Sequence, residues 1–128
     1  MKSGTKLVVA LAAAFGLGGA VVEGLHAQAK GKAIYTVNEI SVTDVDGYLK
    51  EYAPKAQAAI DKAGGKRLAA SQNAVAIEGA APAKRVAIQR WDSMEQYKAY
   101  RASATYKENR KIADKYAKFR TFAVEAQD

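Results

Sequence analysis

Cysteine is absent from this 128-residue chain, and histidine occurs only once, at position 26. Without thiols the protein can form no disulfide, and it lacks the ligands of the usual structural zinc sites. His26 lies in an N-terminal segment that we expect to be removed, so the remaining domain would also have no imidazole. These absences exclude Ser-His-Asp and Cys-His catalytic arrangements, and they exclude haem ligation by a proximal histidine.

The N-terminal segment has the three parts of a secretory signal peptide. Lys2 and Lys6 supply positive charge, residues 7–22 are uncharged and mostly apolar, and Ala27-x-Ala29 offers small side chains to a signal peptidase. The uncharged stretch has 16 residues, whereas a membrane-spanning helix needs roughly 20. We predict a signal peptide over residues 1–29, cleaved after Ala29, and a periplasmic or secreted protein. An uncleaved N-terminal anchor is the main alternative.

The predicted mature chain, residues 30–128, has the length of a single domain. Its formal charge falls from +7 to +6, because two lysines and one glutamate leave with the signal peptide. We expect no stable membrane span after cleavage. Export argues against nucleic acid as a partner for the basic side chains, and Lys107, Lys111 and Lys115 recur at the spacing of a solvated helix face.

Strand and helix signals alternate along the mature chain. The predicted strands cover residues 33–40, 66–71, 74–78, 85–91 and 119–125, the second and third being two short strands or one bent strand. One helix is predicted from Val45 to Gly64-Gly65, and two more follow Asp92-Ser93 and a break near Ser103. The resulting order, β-α-β-β-α-β, is that of a ferredoxin-like α+β fold with an antiparallel sheet and helices on one face.

Two local features of the first helix are predicted from single residues. Thr43 precedes Asp46 by three residues, which is the spacing of a capping box at a helix N-terminus. Pro54 interrupts the helical pattern, and because proline lacks an amide proton we expect a kink or a restart there.

The predicted sheet has no clearly polar face. Strand 85–91 places one set of side chains on one side and a second set on the other, namely Val86, Ile88 and Arg90 against Ala87, Gln89 and Trp91. An antiparallel sheet open to water on one side alternates more cleanly between apolar and polar residues. We therefore expect both faces to be covered, one by helices and the other by a second copy of the chain, which predicts a homodimer.

A run of short motifs resembles the bacterial family known as domain of unknown function 1330. The clearest part is Trp91-x-Ser93, then Tyr100 seven residues later, then Ser103-x-x-Tyr106. Further matches, in order, are Gly64-Gly65-Lys66, Glu78-Gly79 and Arg85-Val86. The resemblance covers about residues 33–126. Departures are Tyr100-Arg101 where the family often has Trp-Tyr, Ala104 in place of proline, and Tyr97 in place of a small residue.

This resemblance implies a ferredoxin-like fold of the dimeric α/β-barrel superfamily, in which two sheets pack face to face. Relatives in the superfamily include cofactor-free monooxygenases, small lactone isomerases and haem enzymes. The family itself implies no established activity. We expect no cofactor and no metal, because the acids are scattered and Asp44 and Asp46 are typical of a first helical turn.

The candidate catalytic residue is Glu78. It ends the apolar run Val75-Ala76-Ile77 directly before Gly79, so a place at the rim of a cleft would suit a general base. The alternative is a glutamate at a strand end, in a turn or paired with Arg85.

The candidate ligand-binding residues are Asn38, Arg90, Trp91, Tyr100 and Tyr106. Arg90 alternates with Ile88 and Val86, and a partly buried guanidinium can hold an anion by two parallel hydrogen bonds. An ion pair between subunits is the alternative for Arg90, and Asn38 has a similar position on the first strand. The aromatic residues are expected near any pocket, or else in the core or the dimer interface.

These features predict an exported homodimeric domain that binds a small anionic or aromatic molecule in a cleft between sheet and helices. Whether it also catalyses a reaction stays open at this point. The alternatives are a non-catalytic envelope protein with a structural or stress role, and a cofactor-independent enzyme of the monooxygenase or isomerase kind.

Overall fold

The computed structural model of the protein describes residues 31–127. The predicted signal peptide, its cleavage site and His26 lie outside these residues. The described elements, in chain order, are β1 (Ile34–Val42), α1 (Val45–Gly47), a π-helical turn (Tyr48–Tyr52), α2 (Ala53–Ala63), β2 (Lys66–Ser71), β3 (Arg85–Trp91), α3 (Met94–Ala102), α4 (Ala104–Ala113) and β4 (Ala117–Glu125). Within residues 31–127, no helix combines the length and the hydropathy needed to cross a bilayer.

The four strands form one antiparallel sheet in the order β2-β3-β1-β4. Helices connect β1 to β2 and β3 to β4, whereas β2 and β3 are neighbours both in sequence and in the sheet. This arrangement confirms the predicted α+β class and is the strand order of the ferredoxin-like topology.

Strand pairing decides which side chains face the helices. Ile34 of β1 lies opposite Trp91 of β3, and both pack against Tyr100 of α3. Because side chains alternate along a strand, the even-numbered residues of β1 and the odd-numbered residues of β3 and β4 share this side. The opposite side, called the outer face below, contains Tyr35, Val37, Val86, Ile88, Arg90, Phe122 and Val124.

Two buried clusters fill the space between sheet and helices. The first joins Ile40 to residues of the π-helical turn, α2, α4 and β4: Tyr48, Tyr52, Ala56, Ala113 and Ala117. The second contains Ile34, Ile60, Trp91 and Tyr100. Tyrosine rings from the helical segments contribute to both clusters, and several helix-facing sheet positions, such as Thr36, Ala87 and Gln89, are small or polar.

The first helix begins differently from the prediction. The side chain of Asp44, not Thr43, caps it by accepting a hydrogen bond from the Gly47 amide at 3.0 Å. Thr43 is engaged elsewhere, because its amide and its hydroxyl both donate to the carbonyl oxygen of Tyr116, at 2.7 and 3.0 Å. The predicted capping box of Thr43 and Asp46 is therefore wrong, and Asp46 lies in the first turn.

Pro54 marks a restart of the helix, as predicted. Residues Tyr48–Tyr52 form a π-helical turn, and α2 begins at Ala53 with the proline in its first turn, so the change from π- to α-helical hydrogen bonding coincides with the missing amide proton of the proline. Gly64 ends α2 in the left-handed conformation, with φ of +99°, which glycine adopts without steric cost.

The predicted strand over residues 74–78 does not form. This part of the chain belongs to an irregular connection between β2 and β3, in which Val75 and Ile77 are 74% and 92% exposed. The amide of Ala74 donates to the carbonyl oxygen of Lys84 at 2.9 Å and closes the connection at its base. The composition of this apolar run suits a strand, but no neighbouring strand in the described part of the chain pairs with it.

Candidate functional site

A cavity of about 70 Å³ lies between the helix-facing side of the sheet and the helices. We call it the cleft. Cations and phenol rings dominate its lining, which includes Arg67, Arg85, Arg101, Arg110, Tyr48, Tyr52, Tyr97, Tyr100 and Tyr106. None of the described residues that line it is an aspartate, a glutamate, a histidine or a cysteine. The cleft is therefore a positively charged site with aromatic walls.

The floor of the cleft is formed by polar side chains of the sheet. The Asn38 amide nitrogen donates to the carbonyl oxygen of Ala87 at 3.1 Å, and the Thr121 hydroxyl donates to Asn38 Oδ1 at 3.0 Å. Beside them, buried Thr36 donates to Gln89 Oε1 at 3.2 Å. These hydrogen bonds fix the amide groups of Asn38 and Gln89 in orientation.

One wall of the cleft comes from the π-helical turn. The rings of Tyr48 and Tyr52 lie 5.2 Å apart, and the Arg85 guanidinium lies over the Tyr48 ring, 5.0 Å from its centroid. Burial raises the pKa of both tyrosines, and the charge of Arg85 offsets only part of this effect at Tyr48. Both side chains are therefore neutral phenols at neutral pH, able to donate a hydrogen bond.

The opposite wall comes from α3 and α4, which meet at Ser103. The hydroxyl of Ser103 accepts from the Tyr106 amide at 3.1 Å and donates to the carbonyl oxygen of Tyr100 at 2.7 Å. One side chain thus ends α3 and caps α4, and it fixes the rings of Tyr100 and Tyr106 at a centroid distance of 5.1 Å. Burial also raises the pKa of Tyr100.

Two arginines donate hydrogen bonds to tyrosine hydroxyls of this wall. Arg101 donates to the Tyr97 hydroxyl at 2.9 Å and lies over the Tyr106 ring, 4.8 Å from its centroid. Arg110 donates to the Tyr106 hydroxyl at 2.9 Å and to Asp114 Oδ1 at 2.9 Å. Of the four cleft arginines, Arg110 is therefore partly neutralised by a carboxylate.

Arg85 has a buried donor, its Nε, without a hydrogen-bond partner among residues 31–127. An unpartnered buried donor costs about 1–3 kcal/mol, and an anion within reach would remove that cost.

The structure brings together some of the predicted ligand-binding residues and separates others. Asn38, Tyr100 and Tyr106 line the cleft. Trp91 is fully buried behind it, with its ring centroid 5.0 Å from that of Tyr100. Arg90 lies on the outer face, where its Nη1 is 3.6 Å from Asp92 Oδ1. Glu78 is exposed in the β2–β3 connection and is not among the lining residues.

The cleft arginines were not singled out from the sequence, although patterns for them exist. Arg85, Gln89 and Trp91 are alternate residues of β3, so all three side chains lie on the side of the sheet that faces the helices. Arg101 and Arg110 each follow a tyrosine by four residues, the spacing of neighbours on a helix. Their convergence on one cavity depends on contacts between distant elements, which periodicity does not reveal.

No cluster of three or more His, Cys, Asp and Glu side chains among residues 31–127 could hold a metal ion. The lining of the cleft offers arginine, amide and phenol groups.

The chain belongs to the DUF1330 family, described as a domain of unknown function, because the family model matches residues 33–127. This confirms the resemblance seen in the sequence motifs. No curated protein matches the chain significantly in sequence.

Solved structures share the fold at low sequence identity. A protein of unknown function from Rhodopseudomonas palustris is 14% identical, with a TM-score of 0.65 over 88% of this chain and 95% of its own. SnoaB, a cofactor-independent oxygenase from Streptomyces nogalater, is 12% identical, with a TM-score of 0.57 over 77% of this chain and 96% of its own. A conserved protein of unknown function from Bacteroides thetaiotaomicron is 11% identical, with a TM-score of 0.53 over 74% and 98%. Identities this low establish a common fold and no more.

Proposed function

We propose that the protein binds a small aromatic anion in the cleft between sheet and helices. The observation that supports this most directly is the lining, which combines four arginines with five tyrosines and includes no carboxylate. Arginine pairs with carboxylates through two parallel hydrogen bonds, and aromatic walls favour a flat apolar body. The unpartnered Nε of Arg85 adds a donor that the protein itself does not use.

The size of the cleft limits how much of the ligand it encloses. At about 70 Å³ it is smaller than the roughly 150 Å³ cavity that holds a benzene molecule. We propose that the anionic group enters the cleft and that the ring lies at the rim, between Arg101 and the neighbouring tyrosines. Arg101 is exposed, so its side chain can move to admit a ring without disturbing the core.

Binding is favoured over catalysis because the cleft offers no general base. Its titratable side chains are arginines, which stay protonated, and tyrosines; burial raises the pKa of Tyr48, Tyr52 and Tyr100. A general base works best with a pKa near the working pH. SnoaB is a cofactor-independent oxygenase, but its likeness to this chain is one of fold alone.

The proposed binding function is tested by thermal unfolding with benzoate, salicylate and neutral benzamide. A ligand present at 100 times its dissociation constant stabilises a protein by about 2.7 kcal/mol. We expect the two aromatic carboxylates to raise the melting temperature and the isosteric amide to leave it unchanged. An equal effect of benzamide and benzoate, or no effect of any arylcarboxylate, would contradict the proposal.

We further propose that a second copy of the chain covers the outer face of the sheet. Val37 lies in register with Ile88 on one side and Phe122 on the other, and Phe122 and Val124 are 42% and 49% exposed. The ion pair of Arg120 with Glu39 flanks this apolar row. An apolar patch with a charged margin is typical of a protein interface.

Sedimentation velocity tests the homodimer. We expect the wild-type protein and the variant Lys111→Glu, whose residue lies exposed on α4, to sediment as dimers. Phe122→Glu places a charge in the apolar row and should give monomers. A wild-type protein that stays monomeric at all concentrations would refute this part of the proposal.

Finally, we propose that the domain is exported to the periplasm or secreted after cleavage behind Ala29. Expression of the full chain in a bacterium and mass measurement of the extracellular or periplasmic product test this. The expected product begins at Lys30; a full-length product held in the membrane would instead favour the uncleaved anchor.

A further inference from the structure

We infer that a second cavity binds a monocarboxylate with an aliphatic body. This cavity, called the end cavity, lies where β1 passes into α1 and has a volume of about 310 Å³, within the range of about 300–1,000 Å³ found for small-molecule sites. Ile40, Tyr48 and Arg85 line both cavities, whereas the other residues that line the end cavity do not line the cleft. The inference does not depend on the function proposed for the cleft.

One wall of the end cavity is apolar and partly exposed. Val45 and Leu49 are one helical turn apart, line the cavity, and are 51% and 38% exposed. Val42 of β1 continues the apolar surface. Removing apolar surface from water stabilises a complex by roughly 25 cal/mol per Å², so an aliphatic chain lying along these side chains has a driving force for binding.

The facing wall is cationic. Lys84 and Arg85 are consecutive residues that both line the cavity, and none of its described lining residues is an aspartate or a glutamate. The face of the Arg85 guanidinium is covered by the Tyr48 ring, which leaves its edge for hydrogen bonding in the plane. A carboxylate can accept from a guanidinium edge through both of its oxygens.

The backbone fixes this cationic wall in place. The carbonyl oxygen of Lys84 accepts from the Ala74 amide at 2.9 Å, which joins the two ends of the β2–β3 connection beside Gln72, a further lining residue. Because β3 begins at Arg85 and its backbone pairs with Ile40, the strand fixes the position of this residue beside the apolar wall. A cation and an apolar strip on opposite sides of one cavity match an aliphatic carboxylate better than an inorganic anion or a neutral hydrocarbon.

Titration calorimetry with octanoate, and with octanol as the uncharged control, tests the inference. We expect octanoate to bind and octanol to bind at least about tenfold more weakly, because charged hydrogen bonds are worth about 1.5–3 kcal/mol and 1.4 kcal/mol is a factor of ten. Lys84→Gln and Leu49→Gln change exposed residues of the end cavity alone and should each weaken octanoate binding several-fold. Unchanged melting temperatures of both variants would establish that they fold.

Arg101→Gln is the matched control, because Arg101 lines the cleft and not the end cavity. We expect this variant to bind octanoate as the wild type does. Octanoate binding that depends on Arg101 but not on Lys84 or Leu49 would overturn the inference and assign the ligand to the cleft. Equal binding of octanol and octanoate, or no binding of octanoate, would also overturn it, while benzoate binding tests the cleft separately.

Discussion

The backbone of Gly65 packs directly against the indole ring of Trp91. A Cβ atom at position 65 would lie 2.7 Å from Trp91 Cζ2, 2.8 Å from Cη2, and 2.9 Å from Ile60 Cγ2. This contact lets the chain that follows α2 pass close to the indole. The indole also packs against the rings of Tyr97 and Tyr100, at centroid distances of 5.3 and 5.0 Å. Gly65 thus leaves room for the indole on which these two cleft tyrosines pack.

We expect Gly65→Ala to destabilise the protein by about 1–3 kcal/mol, the usual cost of overpacking a core. Gly65 does not have a positive φ, so the steric contact alone is the cause. Urea unfolding of Gly65→Ala, Trp91→Phe and the double variant measures the coupling. Because phenylalanine lacks the outer indole ring, the alanine should cost less in the Trp91→Phe background, where the contact with Ile60 remains. Additive effects of the two substitutions would contradict this explanation.

Ser103→Ala is expected to lower stability by about 1 kcal/mol, the typical cost of losing a helix N-cap. The same change should weaken benzoate binding, because Ser103 joins the helix that carries Tyr100 to the helix that carries Tyr106. Ser103→Thr keeps the hydroxyl and is the matched control. Unfolding and benzoate titration of both variants check this, and a binding constant that is equal in the alanine and threonine variants would argue against a positioning role.

Arg101 and Arg90 provide a matched pair of arginines on opposite sides of the sheet. Arg101 lines the cleft, whereas Arg90 lies on the outer face. We expect Arg101→Gln to weaken benzoate binding several-fold, because the guanidinium beside the bound aromatic ring is lost and a cation–π contact at an exposed site is worth about 0.5–1 kcal/mol. Arg90→Gln should leave it unchanged. Thermal shifts of the two variants at equal benzoate concentration distinguish them, and the reverse ranking would move the anion site to the outer face.

Stability is expected to fall as the pH rises above about 10. Burial, and secondarily the neighbouring tyrosines, raise the pKa of Tyr52 and Tyr100 above the ordinary 10.0. The folded state therefore keeps protons that the unfolded state loses, so the stabilisation is complete below pH 10 and decreases above it. Each such group contributes a slope of up to about 1.4 kcal/mol per pH unit.

Tyr52→Phe checks this dependence, because phenylalanine keeps the ring and removes the ionisable hydroxyl. Urea unfolding from about pH 9 to about pH 11 should give a shallower loss of stability for the variant than for the wild type. Lysine titration affects both proteins equally and cancels in the comparison. Parallel curves for the two proteins would show that Tyr52 does not titrate differently on folding.

Much of the fold was predictable because its signals are local. The alternation of residues 85–91 correctly grouped Ala87 with Gln89 and Trp91, and Gly64 and Pro54 marked the end and the restart of a helix. The strand predicted over residues 74–78 is wrong, because the composition of this apolar run suits a strand but none of the described strands pairs with it. Thr43 misled as well, because a contact with distant Tyr116 occupies its polar groups.

The candidate site was only partly predictable, and Arg90 shows why. Its apolar neighbours Val86 and Ile88 suggested an inward side chain, yet that side of β3 is the outer face. The inner side of β3 instead presents Arg85, Ala87 and Gln89 to the tyrosine rings of the helices, and Trp91 is its one large apolar residue there. The alternation of side chains along a strand predicts which residues share a face of the sheet, but it does not predict which face the helices cover.

By itself, the sequence determined the order of the elements apart from the predicted strand over residues 74–78, the alternation of side chains along the strands, and the family, because each follows from residues close together in the chain. Only the tertiary structure decided that Arg67, Arg85, Arg101 and Arg110, which come from β2, β3, α3 and α4, meet at one cavity. The physical reason is that a cavity is the space left by packing, and packing joins residues that no local pattern relates.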